Sequence, residues 1–148
     1  MKLSKSKKYL KKIKESRVYD VADVTPLSPA SYLSKEIKNN VFLKREDLQP
    51  VFSFKLRGAY NKIYLLKKKG DVERVITASA GNHAQGVAYS ARKLKLKSTI
   101  VMPVTTPSIK VRAVKNLGAQ VILIGDSYDL SLIHISEPTR RTPISYAV

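Results

Sequence analysis

Apolar residues recur along the chain in two registers. Between Phe54 and Lys69 they fall at Leu56, Ala59, Tyr60, Ile63 and Leu66, the three- and four-residue spacing of one helix face. Ser53 stands where a cap belongs, and Gly70 stands in the C′ position where such a helix ends. Lys55 lies in the first turn, off the apolar stripe. After Gly70 the pattern changes. "RVITAS", "STIVMP" and "AQVILIG" are short β-branched or apolar runs. They are separated by "AGNHAQGVAYSARKL" and by a segment from Pro107 to Gly118, both of which read as helices. Strand–helix–strand–helix–strand with short links predicts a parallel sheet with right-handed crossovers. The unbroken runs Ile100-Val101-Met102 and Val121-Ile122-Leu123-Ile124 predict a sheet covered on both faces. The fold class is therefore α/β, with the unit stopping after its third strand.

The N-terminal part is less regular. Tyr9, Leu10, Ile13 and Val18 place an apolar stripe in a lysine-rich segment, predicting an N-terminal helix that docks by that stripe. Thr25-Pro26 and Ser28-Pro29 separate that helix from the next segment. A helical pattern then runs from Ser31 to about Lys38, and "NNVFLKRE" reads as a turn followed by a strand. There is no internal repeat. The expected division is an N-terminal helix and strand region, 1–54, belonging to a larger domain, and a small, incomplete α/β domain, 55–129. From Leu130 the text "LSLIHISEPTRRTPISYAV" breaks the alternation where a helix is due. It resembles the translation of a transposase-type sequencing-library adaptor. On that reading 130–148 is a non-native tail, and His134, Glu137, Arg140 and Arg141 carry no biology. A native Pro-rich linker is the alternative.

Composition narrows the classes. At 148 residues, 43% of them hydrophobic, the chain can build one core or part of one. Without cysteine it has no disulfide or thiolate metal site. No apolar run approaches the roughly 18 residues of a membrane span, and no apolar signal core opens the chain. Lysine in place of arginine at the start, with Glu15 and Asp20 close behind, argues against a transit peptide. The formal charge of +17 raises the possibility of a basic nucleic-acid-binding module. Aromatic residues are not interleaved with the lysines as a stacking platform requires, so a solvated basic surface is the preferred reading.

Two stretches carry chemistry. "TASAGNHAQG", Thr77 to Gly86, joins a strand end to a helix start, where ligands bind in open α/β sheets. A helix start offers backbone N–H groups and a positive dipole end to an anion. Ala80 and Gly81 allow close backbone approach, and Ser79 and Asn82 add side-chain hydrogen bonds. The stretch is not a dinucleotide fingerprint. His83 reads as a hydrogen-bonded structural histidine, and two histidines without cysteine support no metal site. The second stretch is "VFSFKLRGAY". An aromatic neighbour and a helix start would desolvate Lys55 and lower its pKa, which suits an amine that forms an imine with an aldehyde cofactor. In a chain so rich in lysine, a solvated surface role competes with that reading.

Together "KREDLQPVFSFKLRGAYNKI" and "ITASAGNHAQGVA" resemble the fold-type II pyridoxal-phosphate enzymes, most closely the biosynthetic threonine dehydratase (threonine ammonia-lyase) branch. "ESRVYDVADVTPL" and "IVMPVTTPSIKVRAVKNLGAQVILIGDSYD" are similar to that family in order and spacing, so the resemblance spans about Tyr9 to Asp129. It implies a three-layer αβα domain with pyridoxal 5′-phosphate as cofactor. It implies that Lys55 holds the cofactor as an imine and removes the substrate α-proton. Phe54 shapes the pocket, Asn82 bonds the cofactor's 3′-oxygen, and Ser79, Ala80, Gly81, Asn82 and His83 receive the substrate carboxylate. The implied reaction converts L-threonine to 2-oxobutanoate and ammonia, feeding isoleucine synthesis in the cytoplasm, with L-serine as a possible second substrate. A homo-oligomer is implied, and neither nucleic acid nor membrane is a partner. Ala80 stands where related serine racemases carry a second serine, which favours dehydration. A catabolic serine/threonine dehydratase, or another β-eliminating relative, is the alternative. The family's phosphate cradle and pyridine-nitrogen partner find no counterpart here, so the chain is expected to be an inactive fragment.

Overall fold

The computed structural model describes residues 2–70 and 72–127; the predicted tail, 130–148, lies outside them. Helices are α1 (Lys2–Lys14), α2 (Ser31–Glu36), α3 (Lys55–Lys69), α4 (Asn82–Lys93) and α5 (Ser108–Asn116). Strands are β1 (Leu27–Pro29), β2 (Phe42–Lys44), β3 (Arg74–Ala78), β4 (Lys97–Met102) and β5 (Gln120–Leu123). β3, β4 and β5 form a parallel sheet in that order, with Thr77 opposite Ile100 and Ile100 opposite Val121. β1 and β2 form a separate antiparallel pair.

The main core follows the sequence stripes. Ala59 and Ile63 of α3, Ala84, Val87, Ala88 and Ala91 of α4, and Val111 and Val114 of α5 pack with Val75, Ile100 and Met102 of the sheet. Strands added consecutively by right-handed crossovers put their connecting helices on one face, and all three of these helices share that one cluster. The opposite face carries a smaller cluster of Ala78 and Val101 with Ile76 and Ile124. Cover on both faces is therefore not found for β5 among the described residues, where Ile122 and Leu123 are exposed. A third cluster joins the N-terminal segment to α3 through Val21, Ala22, Val51, Leu56 and Tyr60.

Three local expectations change. The α1 stripe stays largely uncovered among the described residues: Tyr9, Leu10 and Ile13 are exposed. Ser28-Pro29, read as a break, lies in β1, where pairing with β2 overrides the turn signal. Pro29 ends that strand, a position that tolerates its missing donor. Gly70 follows α3 but has φ 178°, extended rather than left-handed, so no left-handed C′ closure forms there. Gly118, at φ +89°, does close α5 in that way. Among the described residues no helix is long and apolar enough to cross a membrane.

Candidate active site

α3 and α4 both run back from the carboxyl edge of the sheet. Their far ends are joined where Lys67 Nζ donates to Leu94 O at 2.6 Å. Their near ends meet at Gly86, where a Cβ would lie 3.3 Å from Lys55 O and 3.4 Å from Leu56 N. Gly86 thus lets α4 press directly on the first turn of α3. The Gly86 carbonyl accepts the buried Ser90 hydroxyl at 2.6 Å, which anchors the contact from within α4. This approach brings the lysine at the start of α3 and the loop at the start of α4 to one edge of the sheet.

The loop is held by the strands. Ser79 N–H donates to Val101 O at 3.0 Å, and Gly81 N–H donates to Ser79 Oγ at 3.3 Å. Ser79, Ala80, Gly81 and His83 are half-buried and Asn82 is exposed. A Cβ added at Gly81 would meet open space, so the loop has room above its backbone. α4 begins at Asn82, so its positive end faces that space. The five loop residues proposed from sequence are therefore contiguous at one helix start, on the side to which Gly86 brings Lys55.

Ser53 bonds the helix start as expected, with Lys55 N–H donating to its Oγ at 3.2 Å. Desolvation of Lys55 is not found. Lys55 is exposed and Phe54 is 62% exposed, because no described element packs over this end of α3 on its solvent side. A solvent-reachable amine on the turn that Gly86 holds against α4 nevertheless fits the attachment of an aldehyde cofactor, and the helix start with open space over Gly81 fits a carboxylate; no phosphate cradle is found among the described residues.

Glu46 and Asp47 are adjacent carboxylates in "KREDLQP", and the structure sends them to different partners. Asp47 accepts from Arg45 at 2.7 Å on the surface. Glu46 accepts from Arg57 twice, at 2.8 Å from Nε and 2.9 Å from Nη2. It also accepts from Thr25 Oγ1 at 2.6 Å. Arg57, and Thr25 and Gln49 after it, hold the Glu46 carboxyl down at about 2 despite partial burial. The signal was present in the motif, since Glu46 and Arg57 both flank Lys55, but only the turn between them brings the two side chains together.

The pyridoxal-phosphate dependent enzyme family matches residues 18–144. Over 121 residues the chain is 61% identical to a biosynthetic, chloroplastic threonine dehydratase of Solanum lycopersicum, covering 82% of this chain and 20% of that protein. A biosynthetic L-threonine dehydratase of Burkholderia multivorans is 57% identical over 129 residues, covering 85% and 25%. Among solved structures, the processed form of threonine deaminase isoform 2 from Solanum lycopersicum superposes with a TM-score of 0.80 at 51% identity. That superposition covers 86% of this chain and 35% of the other. The chain spans 20% to 30% of the length of the curated relatives it matches. With a family match over most of its length and the lysine and helix-start loop gathered at one sheet edge, the chain belongs to the pyridoxal-phosphate dependent enzymes.

Proposed function

We propose that this chain is the lysine-bearing part of a threonine ammonia-lyase, which converts L-threonine to 2-oxobutanoate and ammonia. One observation carries the reading most: Gly86 brings the Lys55 turn against the helix whose start is the Ser79–His83 loop. When bound, the cofactor supplies an electron sink that makes the substrate α-proton acidic. Lys55 Nζ would hold the cofactor, and once the substrate amino group has displaced it, the freed amine would take that proton. The helix-start amides of the loop, with Ser79 and Asn82, bind the substrate carboxylate and turn the α-carbon toward Lys55. Asn82 would also donate to the cofactor's 3′-oxygen, and Phe54 would form one wall beside its ring. Ala80 offers no proton donor on the opposite face, so loss of the β-hydroxyl as water is favoured over racemisation.

The named relatives favour threonine as substrate and the biosynthetic branch. Cytoplasmic placement and homo-oligomeric assembly belong to the same proposal; the tomato relative is named chloroplastic, so the activity is not tied to one compartment. The test uses the full-length enzyme that carries this segment. Borohydride reduction with pyridoxal 5′-phosphate should label Lys55 in the peptide map. Lys55→Ala should abolish the label and lower turnover by several orders of magnitude. Asn82→Ala should keep the label and lower the rate, because a single hydrogen bond is worth only about 1 kcal/mol. Retained turnover and labelling in Lys55→Ala would assign attachment to another lysine. Serine and threonine turnover, measured with and without isoleucine, separates the biosynthetic from the catabolic branch.

A further inference from the structure

The turn that presents Lys55 has local support from Ser53 and from the buried Val51, but it also contains a strained residue. Phe52 has φ +55°, a left-handed conformation unusual for a bulky residue, and its side chain is exposed and anchors nothing. A closed ring of polar contacts clamps this turn at its two ends. At the near end, Gln49 is buried and bridges the Asp23 backbone, accepting from its N–H at 2.9 Å and donating to its carbonyl at 2.9 Å. Phe52 N–H donates to Gln49 O at 2.7 Å. At the far end, Arg57 grips Glu46 through two donors and reaches Asp23 O at 3.2 Å through Nη2. Gln49 Nε2 closes the ring on Glu46 at 3.3 Å. Lys55 lies between these two fixed points, two residues before Arg57.

Arg57 could be taken for a binder of the substrate carboxylate, since it is a cation near the attachment lysine. Its geometry argues against that. Nε and Nη2 are spent on Glu46, Nη2 also on Asp23 O, and the guanidinium lies 5.1 Å from the centre of the Tyr19 ring.

We infer that the Glu46–Arg57 ion pair, with Gln49, is a positioning device that sets the Lys55 amine against the Ser79–His83 loop, and that Arg57 does not bind substrate. The inference rests on the reading of Lys55 as the attachment lysine. Unlike an ordinary stabilising ion pair, this one should act on the geometry of attachment.

The test compares Glu46→Gln and Arg57→Lys with the unsubstituted full-length enzyme. Circular dichroism checks the fold, and Arg57→Lys keeps the charge in case Glu46→Gln does not fold. Three quantities are read: the rate of borohydride-trappable labelling of Lys55 by pyridoxal 5′-phosphate, kcat, and KM for threonine. The expected result is a roughly tenfold fall in labelling rate and in kcat, with KM within about twofold, and a milder loss in Arg57→Lys. Asp47→Asn, which breaks only the neighbouring surface pair, should change none of these. Unchanged labelling and kcat, even with lowered stability, would overturn the inference by leaving the pair a structural role. A rise in KM alone in Arg57→Lys would overturn it by making Arg57 a substrate contact. No Lys55 label in the unsubstituted enzyme would instead defeat the underlying reading, and this inference with it.

Discussion

Replacing Gly86 with alanine sets two calculable effects against each other. Alanine in a helix interior is favoured over glycine by about 1 kcal/mol. The added methyl, however, would sit 3.3 Å from Lys55 O and 3.4 Å from Lys55 C and Leu56 N. These are backbone atoms in a helix turn, so they cannot swing aside; α4 and α3 must part by a few tenths of an ångström. Overpacking of this kind costs about 1–3 kcal/mol, which leaves a net loss of up to about 2 kcal/mol. The catalytic consequence should be of similar size and separately measurable. If a 1 Å misplacement costs about a hundredfold, a shift of roughly a third of that costs about three- to tenfold in kcat. Denaturant unfolding and steady-state kinetics on the full-length enzyme measure both. Gly58→Ala is the control, since a Cβ there meets open space within α3. It should gain up to about 1 kcal/mol through helix propensity alone. If Gly86→Ala also gained stability and kept full kcat, the close approach would not be what places Lys55.

Two further outcomes are expected. The Glu46 carboxyl is held at about 2 against an ordinary 4.5, so its contribution is fully present above about pH 4.5 and is lost as pH falls toward 2. After allowance for partial exposure it amounts to about 2 kcal/mol, and Glu46→Gln should flatten the unfolding free energy across that interval; parallel pH profiles in the two proteins would show the pair contributes nothing. Ser53→Ala removes the acceptor of the Lys55 N–H and should cost about 1 kcal/mol in denaturant unfolding; no change would mean that this bond is idle.

The elements that were legible in the sequence are those whose burial follows their own period. Leu56, Ala59, Tyr60 and Ile63 are all buried along α3, and the apolar run Ile100-Val101-Met102 is buried in β4. What escaped depends on partners distant in sequence. β1 is a strand only because β2 lies against it, and its Ser-Pro reads locally as a turn. The stripe on α1 has helical spacing but leaves Tyr9, Leu10 and Ile13 exposed among the described residues, because periodicity records a face without recording what covers it. Lys55 followed the same logic. Its aromatic neighbour suggested burial, yet Phe54 points its area at solvent and the lysine is exposed with it.

The candidate site shows the same division between chemistry and placement. The residue types that could act were readable: a lysine at a helix start and a small, polar loop at another. Their placement rests on Gly86 from one side and on Glu46, Gln49 and Arg57 from the other, and neither support announces itself by type. Gly58 and Gly86 are both helix glycines, and only the packing of α3 on α4 distinguishes an indifferent position from a tight one. Glu46 and Asp47 are adjacent carboxylates, and only the turn through Phe52 sends one to Arg57 and leaves the other on the surface. A flexible amine whose own side chain is exposed gains little orientation from its immediate surroundings. Its position must then come from the backbone that carries it, and both supports act on that backbone: Gly86 against the Lys55 carbonyl, and Arg57 one half-turn further along the same helix.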